Sequence, residues 1–67
     1  MRVYEYSYRD EDGIRVMGVM AAQTDHDAAR VIRRECPEAR GLLVRRMRDL
    51  SVDRQGRIVK KRRRSGA

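Results

Sequence analysis

Arginine is the residue type with the most chemistry to offer in this 67-residue chain, supplying 15 of its 17 basic side chains. Its guanidinium is planar, permanently charged and forked, a shape that meets phosphate or carboxylate oxygens two at a time, although a GC-rich genome raises arginine content for no functional reason. The charges cluster. Arg45, Arg46 and Arg48 put charge on both faces of one predicted strand, which requires a face or an edge open to water or to a partner. Lys60, Lys61, Arg62, Arg63 and Arg64 are consecutive, and Arg33 and Arg34 fall toward the end of a predicted helix. If the consecutive run neutralised about five phosphates, affinity would fall roughly 500-fold between about 50 and 200 mM salt. These residues are the candidate contacts to nucleic acid or to a partner.

Other chemistry has little to work with. His26 and Cys36 are the single histidine and the single cysteine. Nearly three helical turns separate them on the predicted helix, too far to share an ion, and no further histidine or cysteine completes a zinc site. Both read as ordinary residues, one on the surface and one in packing. A lone thiol cannot form an internal disulfide, so a cytoplasmic setting is the simplest expectation. Asp10, Glu11 and Asp12 read as a solvated turn in preference to a cation site. One helix on one small sheet leaves little room for a preformed pocket, so the expectation is a protein with no enzymatic activity, no cofactor and no metal.

The length supports one cooperative unit, because a chain this short buries only about 60% of the surface its unfolded form exposes. No membrane span is expected: the longest stretch free of polar side chains, Val16 to Ala22, is well short of the roughly 20 residues a bilayer requires. Met1 to Tyr8 alternates instead of forming the apolar block of a signal peptide. The overall charge of +7 is divided unevenly. Residues 1 to 29 hold three basic and six acidic side chains, whereas 30 to 67 hold 14 basic against four acidic. Such asymmetry suggests a docking surface for a polyanion or for an acidic protein face.

Val3 to Arg9 reads as a strand with Tyr4, Tyr6 and Tyr8 on one face. Asp10-Glu11-Asp12-Gly13 reads as a tight turn, and Ile14 to Ala22 as the returning strand. Pairing across a two-residue turn matches even positions with odd ones, placing the tyrosines with Met17, Val19 and Ala21; a bulge in the turn reverses this. Thr24 is a helix cap with Asp27 three residues on, Asp25 and Asp27 suit the positive end of the helix dipole, and Arg33 and Arg34 suit the negative end. Ala28, Val31, Ile32 and Cys36 make a narrow apolar stripe, and Pro37 stops a helix assigned to 24 to 36. Leu42 to Met47 is a third strand, Asp53 to Gly56 a second turn, and Arg57 to Lys60 a fourth strand. The expected class is α+β, a small antiparallel sheet packed by one helix in the order β-β-α-β-β, with a single domain over 1–60 and a flexible basic tail over 61–67.

The tyrosine stripe admits two uses, packing under the helix or stacking with single-stranded bases on an open face. Glu5, Ser7 and Arg9 on the opposite face cannot form a core, which favours packing. The spacing of Tyr4, Tyr6, Asp10, Gly13, Gly18, Ala22, Ala28 and Ile32 resembles the cytoplasmic leader of inner-membrane platform proteins of type II secretion and type IV pilus machines. At most the small leader fold is implied by that likeness. The chain length, the β-β-α-β-β order and the stretch Ala22-Gln23-Thr24 through Ala28, Arg30, Glu35 and Cys36, followed by a strand near Gly41, also resemble the small type I-F anti-CRISPR proteins. That resemblance implies a basic surface, here Arg33, Arg34, Arg45, Arg46, Lys60 and Lys61, that binds the guide-RNA-carrying backbone of a Cas surveillance complex and obstructs target hybridisation.

The functional expectation is therefore a small basic binding protein, encoded by a phage or other mobile element, that docks an arginine-rich surface onto nucleic acid, DNA or RNA, or onto a nucleoprotein complex. One alternative is an anti-CRISPR inhibitor of a type I Cas complex. The other is an assembly subunit that forms a homodimer through an exposed strand edge.

Overall fold

Asp10 sets the geometry of the first half of the chain. In the computed structural model, which describes residues 1 to 60, its carboxylate Oδ1 accepts from the backbone N–H groups of Asp12 and Ile14, both at 2.9 Å. Its own N–H donates to the Ile14 carbonyl, and Gly13, at φ 77°, donates back to the Asp10 carbonyl. These bonds close a loop of three residues, Glu11 to Gly13, with glycine in the left-handed conformation that a side chain would resist. The loop joins β1 (Arg2–Arg9) to β2 (Arg15–Ala22).

A three-residue loop preserves parity across the pair. Tyr4 lies opposite Met20, Tyr6 opposite Gly18 and Tyr8 opposite Val16. The tyrosines thus share their face with Val16, Gly18, Met20 and Ala22, and the expected partners Met17, Val19 and Ala21 lie on the other face. The reversal comes from the glycine bulge that the Asp10 carboxylate stabilises. A two-residue turn would have placed Asp12 and Gly13 alone at the tip.

Thr24 caps α1 (Asp25–Glu35), its hydroxyl accepting from the Asp27 N–H at 3.1 Å. Asp25 and Asp27 occupy the first turn and Arg33 and Arg34 the last, each sign matched to the helix dipole. At the far end the Cys36 N–H closes on the Ile32 carbonyl at 2.8 Å before Pro37. Ala28 and Ile32 are buried, Cys36 is half-buried, and Val31, counted in the expected stripe, is exposed. The helix lies over the Tyr4 face, where Tyr4, Ala22 and Ala28 pack with Met20 and Val44.

β3 (Arg40–Arg46) joins the opposite side of β1, so the sheet order is β2-β1-β3, antiparallel throughout. β4 (Leu50–Val52) and β5 (Ile58–Lys60) form a separate two-stranded sheet. Their turn repeats the first device: Asp53 Oδ1 accepts from the Gln55 and Arg57 N–H groups, and Gly56 has φ 79°. β4 comes against β1. Val3, on the face away from the helix, is only 1% exposed. The class is α+β, with one helix and five strands among the described residues. The strand expected over Arg57 to Lys60 is β5, and its short partner β4 is a strand beyond the expected order. The tail over 61–67, with Lys61, Arg62, Arg63 and Arg64, lies outside the described residues.

Gly18 is where the sheet and the tyrosines meet most closely, since a Cβ there would run into the Tyr6 phenol ring. We expect Gly18→Ala to push that ring aside and destabilise the fold by about 1–3 kcal/mol in urea titrations, as overpacking does. Thr24→Ala, which removes the cap, is expected to cost about 1 kcal/mol, while Thr24→Ser restores most of it.

Candidate functional site

Among the described residues, the candidate basic side chains do not gather in one place. Arg33 and Arg34 are exposed in the last turn of α1. Arg46 lies opposite Tyr4, on the helix side of the sheet, whereas Arg45 lies opposite Glu5 on the other side, with its guanidinium 3.4 Å from the Glu5 carboxylate. Arg48 is exposed in the connection between β3 and β4, and Lys60 is exposed at the end of β5. Neighbouring strand residues point to opposite faces, so Arg45 and Arg46 leave β3 on different sides of the sheet.

A different set of arginines does converge. Arg15, Arg9 and Arg40 lie directly across from one another on β2, β1 and β3, at the end of the sheet that carries the first turn. The register of β1 with β3 shifts between Ser7 and Arg9, where β3 carries one extra residue, and Gly41 at φ 60° takes up the left-handed kink. Because of that extra residue, Arg40 changes face and joins Arg9 and Arg15 on the side opposite the helix. The three border a shallow cleft of about 270 Å³ with Ser7, Gly41 and Leu43.

Among the described residues no carboxylate is within ion-pair distance of this row, and the acidic side chains nearest Arg9 and Arg15 in sequence are Asp10, Glu11 and Asp12 in the adjoining loop. The two ion pairs among the described residues are Arg30 with Asp27 and Arg45 with Glu5, and neither involves the row. Arg9 donates from Nη1 to the Gly13 carbonyl at 2.9 Å, which orients one guanidinium and leaves its remaining donors free for other acceptors. Like charges directly opposite on adjacent strands are destabilising, so three in succession are a local cost that an anion on that face would offset. Phosphate groups meet such forks with paired, charge-assisted hydrogen bonds.

The chain matches no protein-family model, no curated protein and no solved structure.

The row went unseen in the sequence because Arg40 is distant from Arg9 and Arg15 along the chain, and its face depends on the bulge. The available signal was Arg9 and Arg15 flanking the turn, together with a glycine directly after Arg40. Elsewhere, His26 is exposed and, among the described residues, no group of three His, Cys, Asp or Glu side chains is placed to hold a metal ion. No described helix is long and apolar enough to cross a membrane.

The tyrosines lie on the helix side. Tyr4 is buried in the core, and the Tyr6 and Tyr8 rings stack at 6.2 Å with planes 10° apart, half-buried beside the end of α1. The Tyr8 hydroxyl and the Cys36 thiol share a hydrogen bond of 3.3 Å. That bond, followed by desolvation and the neighbouring Cys36 charge, pushes the Tyr8 phenol up from 10.0 to about 12. A raised acid pKa in the folded state means the contribution is present below pH 10 and is lost as pH rises through about 12. We expect the Tyr8 ring resonances to titrate near the upper value by NMR, Cys36→Ala to move that titration down, and unfolding to become easier across the same interval.

Proposed function

We propose that this chain is a non-enzymatic, polyanion-binding module that docks onto the phosphate backbone of nucleic acid through the Arg15, Arg9 and Arg40 row. The observation that carries this reading is the alignment of three guanidinium groups without carboxylate partners among the described residues, made possible by the Gly41 bulge. Backbone contacts of this kind fix position and carry no base sequence, so discrimination among sequences is not part of the proposal. The apolar side chains beside the row, Met17 and Leu43, are exposed and add contact area on the same face. A cytoplasmic setting suits such a partner. Lys60 and the run that follows it in sequence extend the positive charge available to a long ligand.

An inhibitor of a type I Cas surveillance complex is a narrower form of the same proposal, with the row meeting phosphates carried by a nucleoprotein. The helix-on-sheet plan supports it. Co-purification with such a complex after nuclease treatment is its test, and loss of the association on nuclease treatment would return the reading to free nucleic acid.

The main test compares two triple variants of equal charge change, with mixed-sequence DNA and RNA titrated at several salt concentrations. Arg9→Ala, Arg15→Ala and Arg40→Ala together are expected to flatten the slope of log affinity against log salt by about 2 to 3, as loss of three phosphate contacts does. Arg33→Ala, Arg34→Ala and Arg46→Ala, on the helix side, are expected to change it by less than about 1. Equal effects from the two triples would reduce the row to general charge. Absence of binding by the parent protein at low salt would remove the proposal.

A further inference from the structure

The sheet has two outer strands, β2 and β3, and they are protected very differently. An outer strand presents a row of unpaired N–H and C=O groups, and charge, bulges or coverage normally keep other strands from adding to it. β3 has both deterrents, with Arg40, Arg45 and Arg46 along it and the kink at Gly41. β2 has neither. Its eight residues pair without a register shift, and its single charge, Arg15, stands at the very start.

The directions of the free groups follow from the ladder. The Val3 carbonyl accepts from the Met47 N–H, and the Asp10 N–H reaches the Ile14 carbonyl, so odd positions of β1 face β3 and even positions face β2. Val16, Gly18 and Met20, opposite Tyr8, Tyr6 and Tyr4, therefore spend their backbone groups on β1. Met17, Val19 and Ala21 aim theirs outward, away from the sheet. Their side chains are on the face opposite the helix, where Met17 is 60% and Val19 47% exposed.

We infer that the β2 edge is a self-association surface whose occupant is the β2 strand of a second copy, running antiparallel about a two-fold axis through Gly18. Two-fold pairing perpendicular to the sheet requires residues of equal parity to meet. With Gly18 on the axis, Met17 of one copy lies against Val19 of the other and Val16 against Met20, so the exposed apolar pair covers itself. No like charges meet within the shared ladder: the two Arg15 side chains stand at its opposite ends, roughly 20 Å apart along the strands. The product is a continuous six-stranded sheet with both helices on one face and both arginine rows on the other. The inference stands on the edge alone and does not need the nucleic-acid reading.

Salt distinguishes the two. Each chain carries +7, so repulsion opposes dimerisation and added salt strengthens it, whereas phosphate binding weakens with salt. Sedimentation equilibrium without nucleic acid, over about a hundredfold range of protein concentration, is expected to show a monomer–dimer equilibrium that tightens as salt rises. Val19→Lys puts a charge on each copy's central edge and is expected to leave a monomer with an unchanged circular dichroism spectrum. Leu43→Lys, on β3 of the same face, is expected to leave the dimer intact. Hydrogen exchange on the unmodified protein gives a second readout: the amides of Met17, Val19 and Ala21 should slow at high concentration while those of Val16, Gly18 and Met20 do not. A monomer at the highest concentration in high salt, a dimer that survives Val19→Lys, or protection that ignores this alternation would each overturn the inference.

Discussion

The Asp10 carboxylate, bound to two backbone N–H groups of its own turn, decides on which side of the sheet nearly every other side chain of the first hairpin operates. By holding the loop at three residues it keeps even positions opposite even ones. Tyr4 then packs with Met20 beneath the helix, and Arg9 meets Arg15 on the opposite face. A loop one residue shorter would set the tyrosines against Met17 and Val19 and leave Gly18 facing away from them. In a sheet, one residue of register exchanges the two faces completely.

The two faces are then put to different uses. The helix side holds the apolar cluster, joined at its margin by the Tyr6 and Tyr8 rings and the Cys36 thiol. The other side is largely uncovered beyond Val3, with β4 against β1. A chain of this size has a small stability reserve. Three adjacent guanidinium groups draw on that reserve without contributing to the core. That row contrasts with α1, whose caps, dipole charges and stop residue all agree.

What the sequence disclosed divides along the same line. α1 was legible because its determinants are local: Thr24 and Asp27 at one end, Arg33, Arg34 and Pro37 at the other, each acting within a turn of itself. Both hairpin turns were legible from their glycines. The parity of the first pair was not, because it depends on whether the Asp10 side chain engages the loop. β4, three residues long, offers no periodicity to detect. The basic cluster at Arg45, Arg46 and Arg48 was visible in the sequence but not convergent in space, since alternation divides it between the faces. The Arg15, Arg9 and Arg40 row was hidden because it needs three strands in register and a kink at Gly41, a tertiary condition that no window of sequence contains.

The fit of Tyr6 over Gly18 also bears on strand alignment. A strand that slid by two positions would present Val16 or Met20 to the phenol ring in place of bare backbone, and the ring would have nowhere flat to rest. Shifted β1–β2 pairings are thus disfavoured by their own side chains, so the Tyr6–Gly18 fit guards the alignment of the first hairpin as well as filling space.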